Sequence, residues 1–288
     1  MTESFETYRP MLFSIAYRML GSAMEAEDIV QDAYLRYQAV PTEQIESPKA
    51  YLSTIVTRLC LNQLESARAQ RETYVGPWLP EPVLTDGTAL LSPQGQVSAQ
   101  ESISMAFLVL LESLTPLERA VFLLREVFDY EYGEIAEILG KEEAACRQLF
   151  SRAKKHVAEH RPRFKASPEA HRQMIARFIE AASAGEMDGL MSLLAEDVTL
   201  WTDGGGKAAR GAATRPLHGR ETVATFLLAT RRWVDAEAIT LEIAEVNGEA
   251  GVIMREYGKP RVVMTFEVGG GKIRAMRFVG NPDKLKRV

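Results

Sequence analysis

Apolar residues recur at helical spacing through the first part of the chain, and at alternate positions near its end. Leu12, Ile15, Ala16 and Met19 follow the i, i+3, i+4, i+7 pattern and predict a helix over 8–20 that Gly21 stops. Ser22, with Glu25 three residues on, predicts the capped start of a second helix. Ser47 as N-cap and Pro48 at the first helical position open a third, with Leu52, Ile55, Val56 and Leu59 as its apolar stripe. Residues 39–46 form a short polar loop between the second and third helices. The helical period then fails over 73–100, where Pro77, Pro80, Pro82 and Pro93 alternate with Gly76, Gly87 and Gly95, so this stretch reads as a linker.

Helical spacing returns over 101–161. Thr115-Pro116-Leu117-Glu118 is a capping box with proline inside it. Glu131–Leu139 is a short helix with Tyr132, Ile135, Ala136 and Leu139 on one side, stopped by Gly140. A longer helix follows from about Glu142 to His160, buried through Cys146, Leu149 and Ala153. Beyond residue 162 the pattern changes. Ser167-Pro168 opens a helix carrying Met174, Ile175, Phe178, Ile179 and Ala182, and Met187–Ala195 is shorter. A strand over Val198–Thr202 and a helix over Gly219–Trp233 precede four strands at 238–246, 250–257, 260–268 and 271–279. Asn247-Gly248 and Gly269-Gly270-Gly271 mark hairpin turns between these strands. Helices followed by an antiparallel meander predict an α+β domain.

Composition adds exclusions. The 288 residues are 46% hydrophobic and 25% charged, values of an ordinary globular protein and not of a disordered one. The N-terminus lacks a signal-peptide pattern, and no apolar run approaches membrane-spanning length, so the expected location is the cytoplasm with no membrane contact. Cys60 and Cys146 read as reduced core thiols, and no metal or cofactor is expected. Net charge is −5, which by itself argues against nucleic acid. The distribution reverses that inference. Residues 101–140 hold two basic and eight acidic side chains, whereas 141–165 hold eight basic and three acidic. Between 49 and 71, Lys49, Arg58, Arg68 and Arg71 face Glu65 as the single acid.

Residues 131–155 have the spacing of a helix-turn-helix. The second helix of such a motif enters the major groove. Away from its buried stripe lie Glu142, Glu143, Arg147, Gln148, Ser151, Arg152 and Lys155. Arg147 suits guanine, Gln148 suits adenine, and Arg152, Lys154 and Lys155 suit phosphates. The same spacing also fits a solvated helical hairpin in which Glu143 and Arg147 are an i, i+4 pair. Asp28, Gln31, Asp32 and Leu35 share one side of the second helix, a face that is either solvated or docked on a basic partner.

AEDIVQDAYLRY followed by SPKAYLSTIVTRLCLNQL resembles region 2 of extracytoplasmic-function sigma factors of the sigma-70 family. LTPLERAVFLLREVFDYEYGEIAEILGKEEAACRQLFSRAKKHV resembles their region 4. The resemblance implies two all-α sigma domains, 1–72 and 102–163, joined by the linker 73–101. It implies RNA polymerase core (β′ clamp helices and β flap) and promoter DNA as partners. In this reading Asp28, Gln31, Asp32 and Leu35 dock on core. Lys49, Arg58, Asn62, Arg68 and Arg71 engage the −10 element, where a base is flipped from the stack. The helix from Glu142 reads the −35 element as duplex. Tyr51 reads equally well as a packing residue.

Residues 164–288 resemble the SnoaL-like family, an α+β cone in which a curved sheet wraps a long helix around a pocket. Trp78-Leu79-Pro80-Glu81-Pro82, Asp203-Gly204-Gly205-Gly206-Lys207 and Asn281-Pro282-Asp283-Lys284-Leu285 are similar to the marks of sigma factors with a fused SnoaL-like extension. That narrower match implies regulation in cis, with no separate anti-sigma factor required. Three successive glycines permit a loop to press closely on a partner, and Trp78 is an anchor residue type. The expectation is that the tail packs on region 2 and the linker, and that the chain is not an enzyme. The alternative is a sigma-like fusion whose tail binds a small molecule or acts as an isomerase. Asp197, Asp203 and His218 would then be the polar candidates, with Trp201 and Trp233 as walls.

Overall fold

The computed structural model describes the backbone of all residues except 1, 42–43, 86–102, 161–165, 209–210, 233–234 and 236. Side chains are described for the same residues other than 2–4 and 67–72. The chain divides into two compact units. One holds residues 1–72 and 87–161, the other 73–86 and 162–288. The first part of the linker therefore folds with the C-terminal unit.

The first unit is all-α. Helices α1 (Thr2–Leu20), α2 (Ala23–Gln38) and α3 (Pro48–Glu72) form one bundle, and α4 (Met105–Glu112), α5 (Pro116–Phe122), α6 (Tyr132–Leu139) and α7 (Glu143–His160) form the next. The local signals act as expected. Gly21 has φ +70°, the Ser22 hydroxyl accepts from the Glu25 N–H, and Thr115 and Glu118 complete a reciprocal capping box. Gly140 ends α6 at φ +62°. A π-helical turn, Leu123–Val127, continues α5. Two packing expectations are corrected. Ile138 is buried on α6 while Leu139 is only half-buried. On α7 Val157 joins Cys146 and Ala153 in the core, and Leu149 stays half-buried.

The two bundles touch along α1, α3 and α6. Arg119 donates to the carbonyl of Met19 at 2.5 Å and pairs with Glu112. The Ser53 and Tyr130 hydroxyls lie 2.6 Å apart. Arg18 is fully buried beside Phe128, and burial lowers its guanidinium to about 9. Arg119, Ser53 and Tyr130 thus carry polar groups across this interface.

The second unit is α+β. It contains α8 (Pro168–Ala184), α9 (Met187–Leu193), β1 (Leu194–Asp203), β2 (Leu217–His218), α10 (Arg220–Arg231), β3 (Ile239–Val246), β4 (Glu249–Glu256), β5 (Lys259–Gly269) and β6 (Lys272–Val279). The sheet order is β2-β1-β6-β5-β4-β3. β3 to β6 are an antiparallel meander, and β1 adds in parallel to β6. The helix expected over Met187–Ala195 gives way to strand at Leu194, and the strand expected at Val198 starts there, four residues early. Alternate residues, among them Val252, Met264, Phe266 and Leu200, face α8 and α10 and form the core. Asn247 and Gly248 both take positive φ, as a two-residue hairpin turn requires.

Candidate functional site

Helix α2 buries Ala26, Ile29, Val30, Ala33 and Tyr37. Its other face exposes Asp28, Gln31, Asp32 and Leu35, the last 55% exposed, as well as Met24. An acidic face with large exposed apolar residues suits a basic, partly apolar protein surface.

Helix α3 carries Lys49, Arg58 and Asn62 outside its buried stripe. Asn62 is exposed. The Lys49 ammonium lies 4.8 Å from the Tyr130 ring centre. Arg58 donates to the carbonyls of Ile138 (3.0 Å) and Glu137 (3.3 Å) at the end of α6. Both carbonyls lie in the last turn of α6, at the negative end of the helix dipole, which a guanidinium satisfies, and the Glu137 carbonyl also accepts the Gly140 N–H at 3.3 Å. The side chains of Arg68 and Arg71 lie outside the described residues, although both sit on α3. Replacing Arg58 by Ala should weaken this packing by about 1 kcal/mol. Faster hydrogen exchange at the last amides of α6 would report it, and unchanged exchange would contradict it.

The helix-turn-helix of α6 and α7 presents Glu142, Glu143, Arg147, Gln148, Ser151, Arg152, Lys154 and Lys155, all exposed. Several cations already have local anions. Arg147 pairs with Glu143 and lies 4.4 Å from the Tyr132 ring centre. Arg152 reaches Glu118 at 3.3 Å and Lys154 reaches Glu126 at 3.2 Å. These pairs are solvated and weak, so phosphates can displace them.

In the C-terminal unit, two stretches distant in sequence converge on the Asp203 carboxylate, which is fully buried. The Tyr74 hydroxyl donates to it at 2.5 Å, the Leu79 N–H at 2.8 Å and the Lys284 ammonium at 2.7 Å. Lys284 also donates to the Leu79 carbonyl at 2.5 Å and lies 4.1 Å from the Trp78 ring centre. Asn281 donates to the Tyr74 oxygen at 2.9 Å. Each glycine of the 204–206 run has its own reason. A Cβ on Gly204 would sit 2.7 Å from Ala212, one on Gly205 2.3 Å from Asn281, and one on Gly206 3.3 Å from Val75. Gly205 and Gly206 also take positive φ. Leu79, Pro80, Glu81 and Pro82 are buried. Farther along, the Val83 N–H donates to the Asn247 side chain at 3.1 Å, and Thr85 N–H to the Glu245 carbonyl at 3.0 Å. The linker is thereby clasped against the end of β1, the segment after β6 and the edge of β3. Burial and the Asp203 hydrogen bond raise the Tyr74 phenol. It should titrate above the ordinary tyrosine value of about 10. Its neutral form supports the clasp fully below that value and loses hold as pH rises further. The tyrosinate absorbance lost in Tyr74→Phe locates that titration, and a midpoint at 10 or below would contradict it.

Comparison with known proteins bears on these surfaces. Residues 4–70 match sigma-70 region 2, and residues 104–157 match sigma-70 region 4. The ECF RNA polymerase sigma factor SigJ of Mycobacterium tuberculosis H37Rv is 40% identical over 292 residues, spanning 98% of this chain and 92% of that one. The probable ECF RNA polymerase sigma factor SigI of M. tuberculosis is 30% identical, spanning 99% and 94%. The crystal structure of M. tuberculosis SigJ superposes with a TM-score of 0.78 at 36% identity, covering 99% of this chain and 98% of that one. The chain belongs to the extracytoplasmic-function sigma factors of the sigma-70 family. It is a promoter-specific transcription initiation factor, whose partners are RNA polymerase core and promoter DNA.

The sigma factor's clasp includes residues that sequence reading passed over. Lys284 stands inside the NPDKL stretch, which the sequence marks only as a whole. The structure gives Asp283 an exposed pair with Lys207 and gives Lys284 the buried one. Tyr74 and Thr85 carried no motif, Asn247 was marked only as a turn residue, and their contacts with the linker or across it reveal them. Among the enzymatic candidates, Asp197 is exposed beside Arg274, and His218 is exposed beside Thr199. Neither lines the cavity of this unit, and Trp233 lies outside the described residues. Asp203 does line it, but its carboxylate is held by the clasp. No described helix is long and apolar enough to cross a membrane.

Proposed function

We propose that this sigma factor is regulated in cis by its C-terminal unit, which acts by holding or releasing the linker between regions 2 and 4. The clasp at Asp203 carries this reading. A carboxylate with no solvent exposure, satisfied by two linker residues and one lysine, fixes a segment whose composition would otherwise leave it free. In this reading the fused unit supplies the restraint that a separate anti-sigma protein would supply. The exposed face of α2 docks on core polymerase, Lys49, Arg58, Asn62, Arg68 and Arg71 engage the −10 strand, and α7 reads the −35 duplex. Lys49 and Arg58 are engaged by Tyr130 and the end of α6, so −10 binding requires α3 to leave α6. Linker length and freedom then govern how readily the two sigma domains separate.

In vitro transcription with core polymerase tests this, comparing the full chain with one ending at residue 165. Truncation strips the partner from residues 73–85, and a change in activity or promoter range is expected. Equal activity on the same promoters would refute regulation in cis.

A further inference from the structure

We propose that the cavity of the C-terminal unit binds an apolar molecule carrying one anionic group, and that occupancy is read by the linker through the 203–207 loop. The inference rests on the clasp acting as the restraint.

The cavity holds about 600 Å³, within the range of small-molecule sites. Its walls are Phe178, Phe226, Leu241, Met254, Met264 and Phe278, which suit a ring system or an acyl chain. Its charged lining residues are unequal. Asp203 is neutralised by Lys284, and Glu256 faces Arg261 at 3.5 Å. Arg231, at the end of α10, has no carboxylate within ion-pair distance among the described residues. Its one polar contact there is the Ala184 carbonyl at 3.5 Å. It lies over Gly185, where a Cβ would come within 2.3 Å of the guanidinium. The site therefore has an apolar body and one uncommitted cation at its exposed side, the complement of an amphiphilic anion.

The route to the linker is short. Thr202, Asp203, Ala208, Ala212 and Gly280 all line the cavity. Thr202 holds Ala213 through both its N–H and its carbonyl, at 2.7 and 3.1 Å. Ala208 and Ala212 close on Gly204, and the next two glycines close on Tyr74, Asn281 and Val75. The Gly280 N–H donates to the Asp203 carbonyl at 2.8 Å. The loop is thus one layer thick between ligand space and linker, with no slack on either side. A molecule pressing on Ala208 or Ala212 moves Gly204 and, with it, the clasp.

The test uses the full chain without polymerase, so it stands or falls separately from the transcription comparison. Anilinonaphthalene sulfonate, an apolar anion, is the fluorescent probe, with decanoate and decanol as competitors. Decanoate should displace it about tenfold better than decanol. Arg231→Ala, an exposed substitution, should abolish that preference, and Ala182→Trp should remove probe binding by filling the cavity. Decanoate should also change Trp78 emission and the protease sensitivity of residues 73–85, with Arg231→Ala shifting the response to about tenfold higher concentration. Equal displacement by both competitors, or an Arg231→Ala chain that keeps the preference, would overturn the site. Binding that leaves the linker's emission and proteolysis unchanged would overturn the coupling.

Discussion

Asp203→Ala should destabilise the C-terminal unit by about 3–5 kcal/mol and release the linker. Removing this carboxylate leaves the Lys284 ammonium, whose side chain is 12% exposed, without its counter-charge, and strips acceptors from the Tyr74 hydroxyl and the Leu79 N–H. The penalty arises from groups left unsatisfied more than from the Coulomb attraction itself. Lys284 keeps the Leu79 carbonyl and the face of Trp78, so the loss should fall toward the lower end of that range. Denaturant unfolding followed by tryptophan emission measures it, and proteolysis of residues 73–85 should accelerate in parallel. Lys207→Ala is the internal comparison. Its pair with Asp283 is exposed on both sides, so the change should stay within about 1 kcal/mol. If the two variants lose equal stability, the buried carboxylate is not what holds the linker.

The second large effect is on association. Asp32→Arg should weaken binding to core polymerase on the order of 100-fold or more, because a like charge at a docked surface costs several kcal/mol. Asp32 is exposed on α2, beside Asp28 and Gln31 and one turn from Leu35. The substitution should therefore leave folding within about 0.5 kcal/mol. A pull-down of core with purified protein, alongside a thermal melt, separates lost docking from lost folding. Retained core binding would assign the α2 face to solvent and remove it from the interface.

Local signals were readable from sequence because their partners are local. Thr115 and Glu118 cap one turn, Gly140 ends one helix and Asn247-Gly248 reverses one hairpin, each within a few residues. Burial on short helices was read less well. Ile138 lies off the stripe read for the short helix α6, whose cover comes from other elements, whereas Val157 extends the α7 stripe one turn beyond Ala153. The motif stretches around Trp78, Asp203 and Asn281 pointed to the linker contact. The residue within each that bears it could not be chosen from spacing.

The sequence by itself determined the order of the elements, helical segments with an α+β unit after them, and the stretches that carry charge. These follow from periodicity, caps and turns, whose energetics are settled within a few residues. The tertiary structure alone decided that residues 73–85 fold with the C-terminal unit, that Lys284 and not Asp283 enters the buried pair, and that Tyr74 and Asn247 join the clasp. It also decided that Arg58 spends its guanidinium on α6. Such pairings join positions from 79 to 207 residues apart. Their stability comes from desolvation and geometry that exist only once both segments are folded together, so no local pattern records them.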